Sequence, residues 1–139
     1  MKEIKGNIIP SMRYKNAPEA IKWLCEAFGF KENLIVPGEK NTIEHAQLTY
    51  GNAMIMLGSV KDNEFDKYLK TPQELDGINT QTPYIIVPEI DKHYENALLH
   101  GAKIILEIKD EDYGGRGYTC CDPEGYLWSF GSYDPWEEV

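Results

Sequence analysis

His45 is the side chain here best suited to move a proton near neutral pH, since a free imidazole titrates near ~6.5. It stands in an alternating stretch, His45-Ala46-Gln47-Leu48-Thr49, that reads as a strand. The plainer reading is a hydrogen-bonded strand histidine. Cys120 is a candidate nucleophile if Arg116, four residues before it, lowers its pKa. No base is set beside it by spacing, so an inert buried thiol is the simpler expectation. Arg116 offers a planar fork that fits a carboxylate or phosphate, or equally a loop-anchoring salt bridge. Tyr84, Tyr113 and Trp136 are candidates to stack on a flat ligand, or to pack in a core or dimer interface. The run Gly114-Gly115-Arg116-Gly117 lacks the Lys-Ser/Thr ending of a phosphate-binding loop and reads as a flexible entrance to the last hairpin. His93 and His100 fall on a helix, away from these groups, and are assigned no role.

The bulk properties limit what such groups serve. A chain of 139 residues with 42% apolar and 12% aromatic content predicts one globular domain with a real core. The formal charge of −9 argues against nucleic acid as a partner, because phosphate binding needs clustered Lys and Arg. It would suit a cationic ligand, although solubility alone explains it. No apolar run approaches the roughly 20 residues needed to span a bilayer, and the start of the chain carries no secretory segment, so the cytoplasm is expected. Three cysteines, two of them adjacent, offer neither a disulfide framework nor a zinc spacing.

The elements that position the candidate groups come in two sets. Ile4 to Tyr14 reads as a strand interrupted by Pro10. Asn16 is a candidate N-cap ahead of Ala20, Ile21, Leu24, Ala27 and Phe28, with Gly29 as the stop. Strands follow over Phe30 to Val36, Ile43 to Tyr50 and Ala53 to Leu57, the last two joined by Gly51-Asn52. Residues 58–80 read as a connector with a short helix from Asn63 to Leu69. The pattern then restarts: strand Thr82 to Val87, helix Ile90 to His100, strand Ala102 to Ile108, and a hairpin of Tyr118 to Cys121 with Tyr126 to Phe130. Gly29 and Gly101 are 72 residues apart, and the two hairpin turns about 73. This predicts an α+β fold of two βαβββ modules in a curled mixed sheet around a cavity, helices outside. Module one takes about 1–60, the connector about 61–80 and module two about 81–139.

Hairpin pairing assigns faces. A two-residue turn at Gly51-Asn52 sets Gln47 opposite Met56, so His45, Gln47, Thr49, Met54 and Met56 share a face. Ala46, Leu48, Ile55 and Leu57 form the apolar opposite face. A two-residue turn at Glu124-Gly125 sets Cys120 opposite Ser129, which puts Arg116, Tyr118 and Cys120 on the Ser129 face and turns Trp128 and Phe130 to the core. Ser11, Arg13, Thr82 and Tyr84 share that parity. The expected ligand-binding set is therefore His45, Gln47, Met54, Met56, Tyr84, Arg116, Tyr118, Cys120 and Ser129.

The run Asp122-Pro123-Glu124-Gly125-Tyr126-Leu127-Trp128-Ser129-Phe130-Gly131 resembles the last hairpin of the vicinal oxygen chelate superfamily, in its glyoxalase, bleomycin-resistance and dioxygenase branch. Asn16-Ala17-Pro18-Glu19-Ala20-Ile21 with Ala27-Phe28-Gly29-Phe30 is similar to its first helix, and Gly114 to Tyr118 to its approach to the last hairpin. The resemblance spans essentially the whole chain. It implies paired modules forming a cup, often completed in a homodimer, and a range of functions from lyases and isomerases to drug sequestration. It also implies four metal-ligand positions, which fall here on Ile9, Met56, Thr82 and Ser129. Ile cannot coordinate, Met suits soft Cu(I), and neutral hydroxyls are weak ligands for Mn, Ni, Zn or Fe. The expectation is a metal-independent small-molecule binding protein, without cofactor, acting as a homodimer. The alternative is a glyoxalase-like lyase or isomerase, or a thiol transferase, of unknown substrate.

Overall fold

A capped, amphipathic segment makes the first helix, and its local chemistry explains both ends. In the computed structural model, which describes residues 2–137, α1 spans Ala17–Phe28. The Asn16 side chain accepts from the Glu19 N–H, Pro18 lies in the first turn, and Gly29 closes the helix at φ 87° by donating to the Cys25 carbonyl. Ala17, Ala20, Ile21, Leu24, Ala27 and Phe28 form its buried stripe.

Around α1 run β1 (Ser11–Tyr14), β2 (Lys31–Pro37), β3 (Ile43–Tyr50) and β4 (Ala53–Ser59), in the order β1-β4-β3-β2. The second module repeats this with β5 (Tyr84–Ile86), α2 (Ile90–Leu99), β6 (Lys103–Asp110), β7 (Arg116–Cys121) and β8 (Leu127–Gly131), in the order β5-β8-β7-β6. The fold is α+β, and its sheet exists as two four-stranded halves. The repeat is visible in the pairing: Ser11 sits beside Met56 and Tyr84 beside Ser129, each 73 residues further on.

Several boundaries differ from the sequence expectation. β1 begins at Ser11 rather than Ile4, because Pro10 has no N–H to give the ladder; its carbonyl instead accepts from the Met56 N–H at 2.9 Å. β5 is likewise trimmed, with the Pro83 carbonyl accepting from the Ser129 N–H at 3.1 Å. The connector holds two short 3-10 turns, Asp66–Tyr68 and Pro72–Leu75, in place of one helix. Among the described residues no helix is long and apolar enough to cross a membrane.

Each helix covers one face of its sheet, and the two covered faces merge into a single core. Phe28 of α1 lies 4.6 Å from Phe130 and 5.6 Å from Trp128 of the other module, ring to ring. Trp128, Tyr14, Phe28, Phe130 and Leu24 are all fully buried. Full burial of an apolar side chain of this size is worth about 1.5–3 kcal/mol, so this seam is a large part of the stability. Polar ties cross it as well. Asn96 donates to the Glu26 and Ala27 carbonyls at 2.8 and 3.1 Å, and Trp23 Nε1 donates to the His100 carbonyl at 2.7 Å.

The tightest tie is the turn Asp122 to Gly125. The buried Asp122 carboxylate accepts from Tyr14 Oη at 2.6 Å, Trp128 Nε1 at 3.1 Å and the backbone N–H groups of Glu124 and Tyr126. Glu124 reaches the start of α1, accepting from the Lys15 and Asn16 N–H groups at 2.6 and 2.9 Å. Burial pushes the Asp122 carboxyl up, and those donated hydrogen bonds pull against it. Asp122→Ala would strand four buried donors, so we expect a loss of about 3 kcal/mol or more in urea unfolding, with Asp122→Asn losing less. A wild-type midpoint in the alanine variant would contradict this.

His93 on α2 is a second tie, linking Tyr118 Oη at 2.6 Å through Nδ1 and the Phe28 carbonyl at 2.9 Å through Nε2. A neutral ring satisfies both, with Nε2–H donating and Nδ1 accepting. Burial lowers its pKa, against the smaller opposing pull of the Phe28 carbonyl. Its contribution is therefore complete above about pH 6.5 and is lost as pH falls through the depressed folded value. Wild type should lose stability relative to His93→Gln as the pH is lowered from 7.5 to 5. Parallel stability curves would remove His93 from the account.

Candidate functional site

The faces opposite the shared core carry the side chains available for recognition. On module two, β7 and β8 set Gly117 opposite Gly131 and Thr119 opposite Ser129 on the open side. A hollow of about 350 Å³ lies on this face, with the Tyr84 ring seated against Gly131. Its base is a hydroxyl pair, Thr119 Oγ1 and Ser129 Oγ, 2.8 Å apart. Leu106 from β6 and the rings of Tyr84, Tyr113 and Tyr133 form its walls, with Lys109 and Glu111 also lining it.

Local backbone chemistry holds those rings in place. Tyr84 Oη donates to the Tyr133 carbonyl at 2.7 Å, and a Cβ on Gly131 would come within 2.5 Å of that oxygen. Tyr113 packs edge-on against Tyr133 with centroids 5.0 Å apart. The glycine-rich segment is a tight turn, Glu111 N–H to the Gly115 carbonyl at 2.9 Å, rather than an unstructured entrance. Gly115 has φ 69°, and a Cβ there would lie 2.7 Å from the Tyr133 nitrogen, so only glycine lets the turn press on Tyr133. Burial raises the Tyr84 and Tyr113 phenols, which keeps both protonated at neutral pH.

Module one presents the face expected for it. Gln47 is opposite Met56 and Thr49 opposite Met54, while β2 adds Leu34 beside Gln47 and Val36 beside His45. His45 Nε2 lies 3.0 Å from Gln47 Oε1, and Gln47 Nε2 donates to Asn33 Oδ1 at 2.9 Å. That chain fixes the Gln47 amide and makes His45 Nε2 a donor to Gln47 Oε1.

The second hairpin departs from the expectation by one residue. Asp122 N–H donates to the Tyr126 carbonyl at 2.9 Å, so three residues, not two, make the turn, and Cys120 pairs with Trp128 rather than Ser129. A one-residue shift moves every side chain of a strand to the other face. Tyr118 and Cys120 therefore point into the core, at 3% and 0% exposure, and are not on the open face. Tyr118 stacks on Phe130. The Cys120 thiol is pushed up to about 12 by burial, which rules out a thiolate at neutral pH. Arg116 reaches the edge of the hollow, but its guanidinium is held by Asp110 at 2.8 Å and Asp91 at 3.3 Å. Tyr84 and Ser129 do lie on the open face, where Thr119, Tyr133 and Leu106 join them. Trp136 is 87% exposed and is not part of the hollow's lining.

Met56 and Ser129 sit on the sheets of different modules, on β4 and β8. Ile9 and Thr82 precede β1 and β5 and are exposed. Thr82 and Ser129 both line the module-two hollow, and none of the four positions supplies a carboxylate or imidazole. Among the described residues no three His, Cys, Asp or Glu side chains converge as metal ligands. This donor set does not fit a hard divalent ion.

Comparison with known proteins gives this geometry a family. Residues 9–130 match the model of the Glyoxalase/Bleomycin resistance protein/Dioxygenase superfamily. An uncharacterized protein of Mycobacterium bovis, Mb0911c, is 29% identical over 128 residues, covering 92% of this chain and 84% of that protein. The crystal structure of TioX from Micromonospora sp. ML1 superposes with a TM-score of 0.70 at 26% identity, over 89% of this chain and 95% of TioX. The fosfomycin resistance protein FosX from Mesorhizobium loti shares the fold, with a TM-score of 0.63 at 10% identity over 96% of both chains. With its two βαβββ modules and a family match that runs from just before β1 to the end of the last hairpin, the chain belongs to the glyoxalase, bleomycin resistance protein and dioxygenase superfamily.

Proposed function

We propose that this protein binds a small organic molecule without the help of a metal ion, in a cup assembled from the module-two face of one subunit and the module-one face of a second copy. The observation that carries this is the hollow on the open face of β7 and β8, of ligand size and lined by Tyr84, Tyr113, Tyr133, Thr119 and Ser129, with Lys109, Glu111 and Arg116 also bordering it. Tyr84 and Ser129 would line one half of the cup, and His45, Gln47, Met54 and Met56 the other. A homodimer is supported by apolar side chains left uncovered on both open faces, Leu34 at 44% exposure on one and Leu106 at 58% on the other. Three free thiols among the described residues suit the cytoplasm.

A catalytic role as a lyase, isomerase or thiol transferase would draw on His45, whose Nδ1 is left to accept a proton. It lacks a polarising partner, because the Arg116 guanidinium is committed to Asp91 and Asp110, and a nucleophile, because Cys120 is buried as a thiol. Binding is the better-supported function.

Two measurements test this. Light scattering should give a particle of about twice 15.9 kDa, and a monomer at micromolar concentration would contradict the shared cup. Elemental analysis after dialysis against Mn, Ni and Zn should find far less than one ion per chain. A stoichiometric ion that survives dialysis would overturn metal independence.

A further inference from the structure

We propose that the module-two half of the cup is built for a planar aromatic ring, packed against Tyr84 and Tyr113, with a polar atom on its edge bonded by Thr119 and Ser129. This rests on the small-molecule function above and narrows its ligand class. The Tyr84 ring lies against Gly131, where a Cβ would meet its hydroxyl and Cε1, so an aromatic ring and the Thr119–Ser129 hydroxyls bound the hollow together.

The walls are aromatic. The Tyr84 ring is pinned by its hydroxyl on the Tyr133 carbonyl, and the missing Cβ of Gly131 makes room for its Cε1 as well as its oxygen. Tyr113 is held perpendicular to Tyr133, at 79°, by a turn that only glycines can make. Tyr84, held by its hydroxyl bond to the Tyr133 carbonyl, loses little freedom on meeting a ring, and edge-to-face or offset contacts with Tyr84 and Tyr113 favour an aromatic ring over a saturated one of equal area.

The base of the hollow adds a polar requirement. Thr119 and Ser129 spend one O–H on each other, so one O–H and several lone pairs are left for a ligand atom. A ring hydroxyl or carbonyl meets that need. Lys109 and Glu111, of opposite charge, impose no net charge on the ligand.

The test is isothermal titration of the full chain with 1-naphthol and with decahydro-1-naphthol, its saturated counterpart. We expect 1-naphthol to bind about tenfold more tightly, from two aromatic contacts. That preference should fall below threefold in both Tyr84→Leu and Tyr113→Leu, checked for native folding by their melting curves. Equal binding of the two compounds by wild type would overturn the aromatic inference and leave the small-molecule cup standing. So would a preference that survives both substitutions. Binding of neither compound, with a Tyr113→Leu dimer that falls apart, would make the tyrosines interface packing and overturn this proposal together with the cup.

Discussion

Two buried carboxylates at one turn decide how the halves of this molecule sit. Asp122 takes the Tyr14 hydroxyl and the Trp128 indole N–H, while Glu124 takes two backbone N–H groups where β1 passes into α1. A carboxylate taken out of water is costly unless its lone pairs are filled, and here every donor but the indole of Trp128 and the backbone of the turn itself comes from the other module. The turn therefore fixes module two against module one at a unique position. Around that point Phe28, Phe130 and Trp128 seal the seam.

The consequence reaches the site. In the proposed dimer each chain would contribute two half-cups, the open face of module one and the open face of module two. Module two's open face carries the hollow bordered by Tyr84, Thr119 and Ser129; module one's carries Met56, Gln47 and His45. The proposed dimer would set the hollow of module two against the side chains of module one from a second copy. In the proposed cup recognition would rest on ring packing and hydroxyls, and the Ile9, Met56, Thr82 and Ser129 set holds no carboxylate or imidazole for a hard ion.

Much of this was legible in the residues. The first hairpin was read correctly because Gly51-Asn52 closes a two-residue turn, and alternation on both strands agrees with it. The second was misread by one residue, although its signature was present: Asp122, Pro123 and Gly125 occupy the first, second and fourth positions favoured by a type I turn, and Gly125 itself takes φ 90°. That three-residue loop reverses Tyr118 and Cys120 and exposes Thr119 in their place. The placement of Arg116 was not legible, since Asp91 and Asp110 meet it only through tertiary packing. Nor was the direction in which the modules dock, because pattern shows which face is apolar but not which apolar face it meets.

The central claim, that each binding cup is shared between two chains, can be tested by complementation. Met56→Trp blocks the module-one half, and Ser129→Trp the module-two half, so every cup in either homodimer would be obstructed. A mixed dimer purified with two different tags would contain one cup with both halves open. Titration with 1-naphthol should recover one site per mixed dimer and none in the parents. If the mixed dimer stays as silent as its parents while wild type binds, the cup lies within a single chain and the account is wrong.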